Sequence, residues 1–156
     1  MSYKNVKKYF EDAGLCERVK VLEQSSATVE MAAEAVGCEI KQIAKTLSFM
    51  VGDAPILVVA AGNVKIDNKK YKTTFHQKSK MVSSELVEEY IGHDIGGVCP
   101  FAVNPNVSIY LDISLKENDI IYPGAGNENS VVELSIEELE THSSYKGWVD
   151  VCKKVS

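Results

Sequence analysis

One stretch constrains this chain more than any other: Ile56-Leu57-Val58-Val59-Ala60-Ala61, six consecutive residues without a polar side chain. Successive side chains of a strand point to opposite faces, so a strand lacking polar residues is covered on both. It follows Ile43–Val51 across the turn pair Gly52-Asp53. Two strands around a short polar break predict a hairpin, with the second strand central.

The remaining chain reads as short elements around that hairpin. Val6, Tyr9, Phe10 and Ala13 share a helical face over residues 3–13, and Gly14 stops the helix. Val19–Glu23 predicts a short strand. Ser25-Ser26-Ala27-Thr28 opens a second helix carrying Met31, Ala32, Ala35 and Val36 on one face, with Gly37 as its stop. Residues 67–76 and 84–91 predict short helices. Val107–Leu111, Ile120–Tyr122 and Val131–Leu134 predict strands. Ser135-Ile136-Glu137-Glu138 is a capping box that begins a helix, and Gly147–Cys152 predicts a last strand. There is no internal repeat and no linker. The expectation is one mixed α/β domain over residues 1–156, with strands in neighbouring pairs and short helices between them.

Charge and cysteine usage narrow the function classes. A net charge of −5 argues against a protein whose main work is coating nucleic acid. Residues 65–80 depart from that balance: Lys65, Lys69, Lys70, Lys72, Lys78 and Lys80 face one acid, Asp67. The segment is either a solvated helix face or a docking surface for a phosphate backbone. Cys16, Cys38, Cys99 and Cys152 form no CxxC or zinc spacing, which suits a reducing compartment. The N-terminus has no apolar signal core, and no apolar run approaches the length of a membrane span. The expectation is a cytoplasmic protein with no membrane partner, no metal and no cofactor.

Three features could carry chemistry. Ile43, Lys45, Leu47, Phe49 and Val51 share one face of their strand, so Lys45 sits on the more apolar side. A lysine there reaches water at the strand end, pairs, or lines a ligand pocket. Ile95-Gly96-Gly97-Val98-Cys99-Pro100-Phe101 is either a tight turn or a loop whose glycines let backbone N–H groups approach an oxyanion. Pro123-Gly124-Ala125-Gly126-Asn127-Glu128-Asn129-Ser130 contains G-x-G but lacks the rest of a dinucleotide fingerprint. His76, His93 and His142 are isolated in sequence, and nothing pairs Cys99 with a base.

Taken together these motifs resemble a family. Gln42-Ile43-Ala44-Lys45-Thr46-Leu47, the apolar strand ending Ala61-Gly62, and Gly92-His93-Asp94-Ile95-Gly96-Gly97-Val98-Cys99-Pro100-Phe101 look like the YbaK/prolyl-tRNA-synthetase-associated editing domains. The helix from Thr28 to Gly37 and the segment from Tyr110 to Val132 are similar too, so the likeness spans roughly residues 20–140. It implies a largely antiparallel, curved sheet or partial barrel flanked by short helices. It also implies hydrolysis of the ester joining a wrong amino acid to the 3′ ribose of a tRNA. The family lysine matches Lys45, and the G-x-x-x-P loop matches Gly96 to Pro100. Ala125-Gly126-Asn127-Glu128-Asn129 resembles the branch with an Ala-Gly-x-Pro-Asn loop, with Glu128 where proline is usual.

The resemblance and the strand pattern yield a set of expected site residues. Lys45, Gly96, Gly97 and Val98 would do the chemistry, and Leu47, Phe49, Cys99, Pro100, Phe101 and Asn129 would bind substrate. Lys69, Lys70 and Lys72 would hold tRNA. The expected partners are the acceptor end of a mischarged tRNA and an aminoacyl-tRNA synthetase, with no DNA. The expected activity is a free-standing deacylase acting on small aminoacyl esters. The alternative is a non-catalytic module binding aminoacyl-tRNA or a synthetase.

Overall fold

The computed structural model describes residues 2–25 and 28–155. In chain order the elements are α1 (Ser2–Asp12), β1 (Val19–Val21), α2 (Val29–Val36), β2 (Ile43–Val51), β3 (Ala54–Ala61), β4 (Val64–Ile66), α3 (Asn68–Phe75), α4 (Val87–Ile91), β5 (Ser108–Asp112), β6 (Ile120–Pro123), β7 (Ser130–Val132), β8 (Leu134–Ser135), α5 (Ile136–Ser143), β9 (Gly147–Val149) and β10 (Cys152–Lys154). Local chemistry sets many of these ends. The Thr28 hydroxyl accepts the Met31 N–H at the start of α2, and Gly37 closes it at φ 83°. The expected opening of that helix includes Ser26 and Ala27, which lie outside the described residues. Asp67 caps α3 by accepting from the N–H groups of Lys69 and Lys70. Ser135 and Glu138 form the expected capping box on α5, and Arg18 reaches Glu138 at 2.7 Å.

The main sheet has the order β8-β6-β2-β3-β5-β9. The β2–β3 hairpin runs in register from Ala44 opposite Ala61 to Val51 opposite Ala54, turning through Gly52 at φ 63°. β6 and β8 are antiparallel, whereas β2–β6, β3–β5 and β5–β9 are parallel. Antiparallel pairs β1–β7 and β4–β10 flank this sheet. The architecture is mixed α/β, a curled half-barrel with short helices around it.

β3 is central and clad on both sides. Leu57, Val59 and Ala61 enter a large core with Val6, Phe10, Ile109, Leu111 and Leu139. Ile56, Val58 and Ala60 enter a smaller one with Phe49, Val64, Tyr71, Val151 and Cys152. Both faces are dry, so every residue of β3 after Ala54 is buried.

Four expectations change. Val131–Leu134 is two strands, β7 on β1 and β8 on β6. Gly147–Cys152 also divides, with β9 on β5 and β10 on β4. The chain breaks there because the buried carboxylate of Asp112 accepts the Val151 N–H at 2.9 Å, outside any ladder. β4 is absent from the sequence reading. The helix over 84–91 shortens to Val87–Ile91, since Ser83 to Leu86 forms a separate turn.

Candidate active site

A cavity of about 230 Å³ opens where the edge of β2 is left uncovered. β6 pairs with β2 only at Ile43 and Ala44, and its chain then turns away at Gly124. Further along, the Ser48 carbonyl accepts the Val82 N–H and the Met50 N–H donates to Lys80. Backbone groups of alternate residues point to the same side of a strand. The Thr46 N–H and C=O are therefore aimed into the gap between these two attachments. Val29 and Ala32 of α2, Ile95–Val98 and the loop carrying Asn127 and Glu128 complete the walls.

Gly97 is required by packing between loops, and Gly96 lies against the Glu128 side chain. A Cβ on Gly97 would lie 2.1 Å from the Gly126 carbonyl oxygen. A Cβ on Gly96 would lie 2.6 Å from a carboxylate oxygen of Glu128. Gly126 is itself held from behind: its φ is 101°, and the Ser2 hydroxyl of α1 donates to its carbonyl at 2.5 Å. The Gly97 N–H donates to the Asp94 carbonyl at 2.8 Å. That donor is committed within the turn, so of the three expected oxyanion donors Gly96 and Val98 remain.

Lys45 lines the cavity and is partly buried. Its ammonium donates to the Val64 carbonyl of β4. Burial pushes its pKa below the ordinary lysine value, against smaller opposing effects of Cys152 and Glu30.

The other expected substrate contacts lie elsewhere. Leu47 and Phe49 share the face of Lys45, but they pack into the smaller core against residues such as Tyr71. Cys99 and Phe101 are buried in the large core, where Phe101 meets Phe10 edge to face at 4.9 Å. Pro100 is buried beside them, away from the cavity walls. Asn129 is exposed, and its N–H donates to the side chain of Asn127, which does line the cavity. Thr46, Tyr122, Asn127 and Glu128 are wall residues that the sequence reading left out. The last two sit inside the third loop, whose G-x-G was the available signal.

Cys99 has a neighbour that sequence alone did not supply. Its sulfur lies 3.5 Å from Nε2 of His93, which is itself buried. The same Nε2 lies 2.6 Å from the Phe101 carbonyl, which can only accept. Nε2 therefore carries the proton and donates to Phe101, so it cannot act as a base toward the thiol. Burial pushes the Cys99 pKa up to about 12. A neutral, enclosed thiol without a base is a packing group rather than a nucleophile.

The lysine-rich segment is partly structural. Lys70 donates to Asp150 and to the Cys152 carbonyl, each at 3.0 Å, and so ties α3 to β10. Lys69 and Lys72 instead line a separate cleft with Asn68, Lys78 and Ser79. No helix among the described residues is long and apolar enough to cross a membrane.

Comparison with known proteins assigns the chain. The family model described as aminoacyl-tRNA editing domain matches residues 23–141. Over 154 residues the chain is 48% identical to the uncharacterized protein YwhH of Bacillus subtilis (strain 168), covering 98% of each. It is 30% identical to the "Putative Cys-tRNA(Pro)/Cys-tRNA(Cys) deacylase EbsC" of Enterococcus faecalis over 72% of this chain and 70% of that one. It also resembles a crystal structure of "a putative trans-editing enzyme for prolyl tRNA synthetase" at 27% identity. There the TM-score is 0.86, over 99% of this chain and 98% of the other. A β2 edge opened beside a glycine pair, and a match covering most of the chain, place this protein in the aminoacyl-tRNA editing domain family.

Proposed function

We propose that this protein is a free-standing deacylase that hydrolyses the ester of mischarged aminoacyl-tRNA carrying a small amino acid. The observation that carries the reading is the cavity itself. It combines a partly buried ammonium, the N–H-bearing turn at Gly96–Val98 and an uncovered strand edge, and the neighbouring thiol is disarmed.

An aminoacyl ester is already activated, so water can serve as nucleophile once the ester is held and its oxyanion stabilised. Water oxygen bonds to the carbonyl carbon, and the carbonyl electrons move onto oxygen. The N–H groups of Gly96 and Val98 meet that oxyanion. Collapse re-forms the carbonyl and breaks the bond to the ribose oxygen, which leaves with a proton. An ammonium has three donors, and Lys45 gives one to Val64. The others serve the ester carbonyl, the attacking water or the terminal phosphate. Gly97 holds the turn against Gly126, and Pro100 fixes its far end.

The cavity volume and the apolar walls at Val29, Ala32, Ile43 and Val98 favour a small side chain. Such walls exclude by size better than they separate near-isosteres, because one methylene is worth about 1–3 kcal/mol. Lys69 and Lys72 contact phosphates of the acceptor end, and Lys70 braces the helix that presents them.

The test is a deacylation panel on one tRNA charged with different amino acids. Alanyl, seryl and cysteinyl esters are expected to be cleaved, with overlap, and aromatic esters spared. Fast cleavage of phenylalanyl or tyrosyl esters with alanyl and seryl esters intact would refute the small pocket. Binding without hydrolysis across the whole panel would establish a non-catalytic module instead.

A further inference from the structure

Among the described residues that line the cavity, Lys45 supplies the basic side chain and Glu128 the acidic one. The two are held apart. The Lys45 ammonium turns to the Val64 carbonyl. The Glu128 carboxylate, at the exposed rim, lies against Gly96, where a Cβ would meet its oxygen at 2.6 Å. A carboxylate thus stands beside the turn whose N–H groups face the oxyanion. Alone it opposes that developing charge, because like charges repel more strongly once substrate excludes water. A cation seated next to both reverses the effect. Two other polar groups of this wall are committed elsewhere. Asn127 Oδ1 accepts from the Asn129 N–H and the Ser130 hydroxyl, and the Tyr122 hydroxyl donates to Glu133.

We infer that Glu128 binds the α-ammonium of the aminoacyl group and restricts the site to esters whose amine is free. The inference rests on the deacylase reading given above. The α-nitrogen is two bonds from the carbonyl carbon, so it lies about 3 Å from a carbonyl oxygen turned to the same side. Whatever accepts from the ammonium must then stand beside the turn that holds the carbonyl, and Glu128 does. An ammonium only donates and a carboxylate only accepts, so the pair matches in charge and in hydrogen bonding. An N-acylated ester brings no cation and leaves the carboxylate facing the oxyanion. Glu128 is a specificity-determining residue in this sense: it makes catalysis conditional on the substrate's own charge. Proline, usual at this position in the branch whose loop this one resembles, has no side-chain acceptor and cannot take the role.

The test compares Glu128→Gln with the unaltered protein on alanyl-tRNA and N-acetylalanyl-tRNA. The two esters differ in intrinsic reactivity, so the quantity read is the ratio of their kcat/KM values, free amine over acetylated. The variant is expected to lower that ratio about ten- to hundredfold, the range of a hydrogen bond to a charged group. An unchanged ratio, including equal losses on both substrates, would overturn the inference. A binding measurement separates this result from failure of the deacylase reading. It uses 3′-alanylamino-3′-deoxyadenosine, which has no ester to cleave, and its N-acetyl form, titrated calorimetrically at about pH 6.5, below the ordinary pKa of an α-amine. The unaltered protein should bind the free-amine probe about tenfold or more tightly than the acetylated one, and Glu128→Gln should abolish the preference. That pattern upholds the amine site even if no ester is cleaved. Equal binding of the two probes, or binding of neither, would remove Glu128 from amine recognition even where alanyl-tRNA is hydrolysed.

Discussion

The loop from Ile95 to Phe101 is two regions in seven residues. Its first half faces solvent and the cavity: Ile95 is exposed, and Gly96, Gly97 and Val98 form a wall. Its second half is core: Cys99 is fully buried and Phe101 is 1% exposed. The sequence offers Gly, Gly, Val, Cys, Pro and Phe as one motif, yet burial divides their roles. Gly97 serves where one backbone must pass another, and the sulfur serves where a small apolar group fills space. A nucleophile-like residue beside a glycine turn is therefore no evidence of covalent chemistry until its exposure and its base are known.

The sharpest way to break the comparison is to remove the cation at the open half without touching the buried one. Lys45→Ala should lower single-turnover deacylation by at least about a hundredfold, in the range seen for deleted electrostatic groups. Its circular dichroism should be unchanged, because the cost of keeping a partly buried charge disappears with the charge. Near-normal rates would remove Lys45 from the chemistry. Next in size, Gly97→Ala forces the Gly126 carbonyl aside. Denaturant titration should show a loss of about 1–3 kcal/mol, as for other overpacked sites. Deacylation should fall more than tenfold even at temperatures where the variant is folded.

Charge reversal at Lys69 and Lys72 probes a different surface. It should weaken tRNA binding several-fold and flatten its salt dependence, with saturated chemistry little changed. Lys70 is omitted because it anchors α3 to β10. An unchanged salt slope would make the segment a solvated face. In the buried half, Cys99→Ala should cost about 1–2 kcal/mol of stability from lost packing. It should retain at least a tenth of the activity; a trapped acyl-enzyme in mass spectrometry would reverse the assignment. The smallest effect is pH-dependent. Burial holds the His93 pKa below its ordinary 6.5, against smaller opposing contributions from Phe101 and Asp94. The unfolded chain then binds the proton more readily, so stability is complete above about pH 6.5 and declines as pH falls below it. Melting temperatures across that range should show the decline, and His93→Gln should flatten it.

Much of the fold was legible because short-range chemistry set it. β3 announced itself through six apolar residues, and α2 and α5 through Thr28 and Ser135 at their starts. β4 was not legible, since Val64-Lys65-Ile66 is too short to show a period and exists by pairing with β10. Asp112 divides the last strand from 39 positions away, a distance that no local pattern reports. At the site, Lys45 and the glycine pair could be picked out by residue type. The division of the loop into wall and core could not, because it depends on Phe10 and His93 closing around its second half.

The bond from Ser2 to Gly126 sets an order of assembly. Its partners are 124 residues apart, so α1 lacks this anchor until the third loop is in place. Closing so long a span is entropically costly and comes late, while the β2–β3 hairpin needs only its own turn. Gly126 presses on Gly97, so the turn beside the cavity gains its support only after α1 docks. By this entropic ordering the β2–β3 hairpin precedes the contacts that finish the cavity wall.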